Sequence, residues 1–280
     1  MDDRQQATLS AETPEERTAT ERKMEALRET ISSVEPHLTA LAYSNLCLSG
    51  NFCNRRTTNL GSLISANQGG IEIGYQPPEI GYVDGRTFQG FARTYFNYDP
   101  GTIDPQGKSF QGGVGIRYKP LPDYNLVLSG ERLFKLGSNA QNNWLARAAF
   151  STSTGYAGYI VEPTAGRPRY SLFYVDLAGT LTSPHQYLTY LDAREGLNFG
   201  LADRLVGSPF AYTIFRGNYG VGANTSAEAG LGFSLRGFLG GDEYHAPPVA
   251  LEVLPRLGYT VYDSLAPTSV VFSITLVARF

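Results

Sequence analysis

The chain closes on Val270–Phe280, VVFSITLVARF. On an extended backbone successive side chains point to opposite sides, so Val270, Phe272, Ile274, Leu276, Ala278 and Phe280 share one face while Ser273, Thr275 and Arg279 share the other. A helix would scatter the same residues around its circumference. An apolar face this long has to be covered by a second sheet or by lipid.

Working outward, the same split recurs upstream. In Phe110–Lys119 the residues Phe110, Gly112, Val114, Ile116 and Tyr118 oppose Gln111, Gly113, Gly115, Arg117 and Lys119; in Ala227–Arg236, Ala229, Leu231, Phe233 and Leu235 oppose Glu228, Gly230, Gly232, Ser234 and Arg236. In Val249–Tyr259, Val249, Leu251, Val253 and Leu257 oppose Glu252, Arg256 and Gly258. We count about eleven such segments, each near the 9–11 residues that a tilted strand needs to cross a bilayer. They begin near residues 70, 86, 109, 123, 143, 168, 186, 208, 224, 248 and 269. A barrel with both ends on one side of the membrane needs an even count, and Leu41–Leu48 is the candidate for a twelfth. The pattern predicts an all-β, antiparallel up-and-down transmembrane barrel of about 12 strands over residues 68–280, preceded by a helix and linker over 1–67. The terminal strand also resembles the signal that outer-membrane assembly machinery reads, with Phe272, Ile274, Leu276 and Phe280 as its elements.

The polar face separates a barrel from a soluble sandwich. It holds Glu72, Arg93, Arg117, Lys119, Glu131, Arg147, Asp176, Asp192, Arg194, Arg216, Glu228, Arg236, Glu252, Arg256 and Arg279, mixed in sign and interleaved with glycine. Such a set suits a lumen in which charges pair or line a wet channel, and its basic members outnumber the acidic ones. The alternatives are mixed charges on a solvated sheet, as in a secreted glycan-binding sandwich, or a barrel too narrow to conduct, plugged by its own side chains. Tyr118, Tyr124, Trp144, Tyr170, Tyr187 and Phe210 lie near segment ends and would suit the aromatic girdles at a membrane surface.

Composition agrees. Among 280 residues there are 31 Gly, 18 Tyr and 15 Phe but 2 Met, and 42% are hydrophobic without any stretch long enough for a helical membrane span. A net charge of -3 argues against a nucleic-acid partner. The opening MDDRQQATLS carries two acids and no apolar core behind it, which is not a secretory signal peptide, so for an exported protein a fragment or an internal start is expected. Thr13, Pro14 and Glu16 form a capping box, and Met24, Leu27, Ile31 and Val34 follow at helical spacing up to Pro36. Cys47 and Cys53 could bond in an oxidising compartment or remain thiols.

Catalytic patterns are missing. His37, His185 and His245 show no paired-ligand spacing for a metal, and there is no nucleophile elbow, phosphate loop or dinucleotide fingerprint. Ser183 and His185 sit two apart around Pro184, which suits a tight connection better than a hydrolytic pair. No enzyme activity, cofactor or metal is expected.

Ile71–Phe91, IEIGYQPPEIGYVDGRTFQGF, then Gly112–Phe150, GGVGIRYKPLPDYNLVLSGERLFKLGSNAQNNWLARAAF, and the segment AEAGLGFSLRGFLGGDEYHAPPVALEV resemble the C-terminal domain of the phage adsorption protein A family, NfrA. The resemblance implies a periplasmic helical-repeat region followed by an outer-membrane barrel in a Gram-negative bacterium. It also implies a layout similar to exopolysaccharide export porins, an inner-membrane glycosyltransferase partner and use as a phage receptor, so the expected function is a conduit or accessory for exopolysaccharide secretion that also serves phage adsorption. Outer-membrane lipid, the barrel assembly machinery, a polysaccharide and a phage tail protein are then the expected partners. The repeat itself, with a period of about 34 residues, is absent from this sequence.

Overall fold

The computed structural model describes residues 37–50, 67–77, 87–99, 104–121, 124–154, 169–202, 204–220, 223–239 and 249–280. The capping-box helix, His245 and Cys53 lie outside these residues, as does the side chain of His37. Thirteen strands form one sheet: β1 (His37–Ser49), β2 (Gln68–Gln76), β3 (Thr87–Asn97), β4 (Gln111–Lys119), β5 (Asn125–Lys135), β6 (Asn143–Thr154), β7 (Arg169–Thr180), β8 (Gln186–Leu197), β9 (Phe199–Ala202), β10 (Leu205–Gly220), β11 (Asn224–Leu239), β12 (Val249–Asp263) and β13 (Val270–Arg279).

Each strand pairs antiparallel with its sequence neighbour, and β13 pairs back onto β1. The seam runs from Leu41 opposite Arg279 to Cys47 opposite Ser273, and Ala40 and Phe280 exchange backbone hydrogen bonds of 2.9 and 2.8 Å at its end. Strands β8 and β9 both lie along β10, broken only at Asn198, so they count as one wall strand and the closed barrel has twelve. Closure removes the unpaired edges that an open sheet would present.

Strand β1 corrects the expected boundary. The barrel begins at His37, not at 68, because Leu41 and Tyr43 on β1 are needed to pair with Glu72 and Gly70 of β2 on one side and with β13 on the other. Within β1, Cys47 is buried and engaged in a disulfide, and Cys53 is the chain's other cysteine. Short and long connections occur at both barrel ends, which is why their lengths follow no parity along the sequence.

The outward face is apolar and layered. Ile71, Ile73, Val114, Ile116, Leu128, Leu177, Leu231 and Leu257 form an exposed aliphatic band. At the end where β1 starts and β13 stops, it is bordered by Tyr75, Tyr118, Tyr124, Phe199 and Phe280; at the far end, by Phe134, Trp144, Tyr187, Tyr219, Tyr259 and Tyr262. Two of the aromatics assigned to girdles from sequence belong elsewhere. Tyr170 and Phe210 share the parity of Asp176 and Arg216 on their strands, so they point inward and pack at 5.6 Å between ring centroids.

Candidate functional site

Among the described residues, charged side chains concentrate in the interior. Register explains why: Glu72, Arg93, Gly113 and Glu131 fall on the inward parity of β2 to β5, and glycine opposite a long side chain leaves room for it. A Cβ on Gly113 would run into Glu131 Oε1.

The first network is centred on Glu131, whose side chain is 1% exposed. It accepts hydrogen bonds from Arg93 Nε at 2.9 Å, from Arg93 Nη2, and from the Tyr95 hydroxyl at 3.2 Å. Arg93 Nη1 also reaches Glu72 at 3.4 Å, and Arg117 Nη2 donates to the other Glu72 oxygen at 2.5 Å. Arg147 and Asp176 pair beside them at 3.2 Å.

A second network spans β8 to β13 and reaches β1. Arg194 binds Asp192 through both ends of its fork, at 3.0 and 2.6 Å, and the Tyr190 hydroxyl adds a bond at 3.2 Å. Arg256 lies 3.9 Å from the same carboxylate and donates to Thr275, which donates to Asn45 at 2.9 Å. Glu228 accepts from Tyr212 at 2.5 Å and Arg216 at 3.0 Å. Arg236 donates to Asn198 and Ser208, and Ser234 donates to Glu252 at 2.5 Å. Arginine planes lie over neighbouring rings: Arg93 over Phe91 and Tyr95, each at 4.7 Å, and Arg236 over Tyr170 at 5.4 Å.

Apolar residues complete the filling. Tyr95, Leu133, Leu145, Ala178 and Leu188 form one interior cluster, and Tyr170, Phe210, Tyr212, Ile214 and Leu254 another. Leu133 and Ile214 are 0% exposed although both point into the barrel. Side chains lining a wet channel would keep water-accessible surface; Leu133 and Ile214 keep none, while Arg117 and Arg147 keep 28% and 16%. Burying so many charges is tolerated because each of these residues has at least one ion-pair or hydrogen-bond partner, although single atoms such as Arg147 Nε and Arg256 Nε make no hydrogen bond, and removal of one partner would strand the other away from bulk water.

Of the fifteen residues expected at the lumen, Lys119 and Arg279 stand apart from these buried networks, at the rim where β1 starts. The remainder join the two networks. Phe272, Ile274, Leu276 and Phe280 lie on the outward face of β13, in line with the aliphatic band. Sequence reading missed the interior tyrosines, Asn198 and the inward leucines, because none carries a charge to mark its parity. His185 lies in the connection between β7 and β8, its Nδ1 3.3 Å from the Thr180 carbonyl oxygen.

A closed antiparallel wall with an apolar, aromatic-bordered outside and a filled polar inside defines an outer-membrane-type β-barrel. Residues 104–259 match the family model described as bacteriophage N adsorption protein A, C-terminal region. That is more than half of the chain, and the chain belongs to this family. No curated protein matches it. Among solved structures the chain is similar to LpxR from Salmonella typhimurium, with 10% identity, TM-score 0.41, and 86% of this chain and 99% of that one covered. It is also similar to the β domain of the Bordetella autotransporter BrkA, at 16% identity and TM-score 0.44 over 88% and 98% of the two chains. A bacterial polysaccharide outer membrane secretin matches at 8% identity and TM-score 0.42 over 89% and 98%.

Proposed function

We propose that this chain is a closed barrel of the Gram-negative outer membrane that serves as a phage adsorption receptor, and that its interior acts as a structural plug and not as a conduit. The observation that carries the reading is the dry interior inside a wall whose outward face is apolar. Leu133, Ile214 and the Glu131 and Asp192 networks tie non-adjacent strands together, which suits a rigid support for surface-exposed segments. Phage adsorption follows from the family. The aliphatic band and its aromatic borders favour lipid as the surrounding medium, and the outward Phe272, Ile274, Leu276 and Phe280 suit recognition by the assembly machinery.

The polysaccharide conduit is the weaker reading here, since a polymer would have to displace the buried leucines and break paired charges along its path. The receptor role is tested with folded protein in detergent micelles, mixed with a phage that adsorbs through this family. Folded protein should lower the free phage titre in proportion to its concentration, whereas boiled protein should not. Unchanged titre with folded protein would contradict the receptor reading.

A further inference from the structure

Arg132 breaks the pattern of the outer wall. Its strand neighbours Glu131 and Leu133 are buried inside the barrel, so Arg132 points outward, opposite Val114 on β4 and Trp144 on β6. Every arginine of the interior networks has a carboxylate or hydrogen-bond acceptor. Arg132 has two rings instead: its guanidinium carbon lies 5.4 Å from the centroid of Trp144 and 5.9 Å from that of Phe134.

No carboxylate lies on the outward faces of β4 to β7, where the residues are Gly112, Val114, Ile116 and Tyr118 on the first strand and apolar or small on the others, apart from Arg132 itself and Arg169 at the opposite rim, which pairs with Glu195 of β8 at 2.6 Å. Both rings belong to the far aromatic border, so the side chain is drawn along the wall towards that edge of the apolar band. Exposed Lys108 and Lys135 stand at the same end. A cation held on an aliphatic surface, without an anion and with its head at the aromatic border, has the arrangement of a long side chain that reaches a membrane interface and leaves one charge to be met from outside.

We propose that Arg132, with Phe134 and Trp144 as its platform, is a binding site for the anionic phosphate of a lipid headgroup. The guanidinium fork offers two parallel donors to phosphate oxygens, the rings hold the fork in place, and Val114 and Ile116 lie below for the acyl chains. This inference rests on the membrane reading above, and its test separates the two.

Trp144 is the chain's single tryptophan, so its fluorescence reports on this site alone. The protein is reconstituted into phosphatidylcholine vesicles and titrated with small mole fractions of acyl-brominated phosphatidylcholine or acyl-brominated phosphatidic acid. Both lipids should quench Trp144, and phosphatidic acid should do so at about one fifth of the mole fraction, the preference expected of one basic residue at an anionic surface. Arg132→Gln should bring the two curves together, and Arg132→Lys should keep most of the difference. If Arg132→Gln does not fold, the wild-type preference should still shrink at 1 M salt, where screening shortens to about 3 Å. Equal quenching by both lipids in the wild type overturns the phosphate site and leaves the membrane reading standing. Quenching by neither overturns the membrane reading and the site together.

Discussion

Glu131→Leu removes the carboxylate at the centre of the first network while keeping much of the side-chain volume. The loss is not of one contact. Arg93 loses two hydrogen-bond acceptors, Tyr95 loses the partner of its hydroxyl, and Arg93 keeps only Glu72, at 3.4 Å. With its side chain 10% exposed, Arg93 has little water to fall back on. Breaking a buried pair by deleting one member costs about 3–5 kcal/mol, so the single variant should lose about that much stability. The double variant Arg93→Met with Glu131→Leu leaves no stranded charge, and Glu72 retains Arg117 at 2.5 Å. Such replacements are often close to neutral, so the double variant should recover most of the loss, with a coupling of about 3 kcal/mol. The assay is urea unfolding in vesicles, followed by Trp144 fluorescence and by the migration of unboiled protein in gels, with linear extrapolation to zero urea. A single-variant loss below about 1 kcal/mol together with additivity in the double would mean that Glu131 is hydrated, and the closed-lumen argument would fail.

Three further outcomes follow from faces and packing. Leu231→Arg, on the outward face of β11, should cost about 2–4 kcal/mol in vesicles if it lies near the bilayer midplane, an effect that a soluble sandwich would not show in the same urea titration. Gly113→Ala should loosen the Arg93–Glu131 pair, since the added Cβ runs into Glu131 Oε1; unfolding midpoints unchanged from wild type would contradict that packing. Deleting Phe280 removes both the outward terminal ring and the backbone pair with Ala40 that ends the seam, so the amount of folded protein in outer-membrane fractions should fall well below that of Leu265→Ala in the turn before β13. Equal amounts of the two variants would make the terminal residue incidental.

Much of the wall was legible because a membrane strand writes its two faces into alternate positions. Val114, Ile116, Leu231 and Leu257 announce lipid, and Arg117, Glu228 and Arg256 announce the interior. Strand β1 was faint for a physical reason. Its outward positions include Ala40, Ala42 and Ser44 while its inward ones include Leu41 and Tyr43, so the contrast between faces nearly vanishes. The interior was legible only where it is charged. In GERLF, Glu131 and Arg132 are adjacent charges and a strand can turn only one inward; Leu133 and Phe134 are adjacent apolar residues with the same ambiguity. The pattern alone does not say that Leu133 goes in and Arg132 out, and it is the buried leucines and tyrosines that close the lumen. Tyr170 and Phe210 were misread for a related reason, since an aromatic near a strand end suits a girdle or a core equally until strand parity is known.

The most direct test of the closed barrel is current across a planar bilayer. Folded protein, verified by its anomalous migration before boiling, should insert and pass no steady current, because the charges expected to line a channel are spent on one another and Leu133 and Ile214 are fully buried, each in its own interior cluster. A stable open current, with the anion preference that an excess of arginine would impose and that fades at 1 M salt, would show that the interior is a conduit and contradict this account.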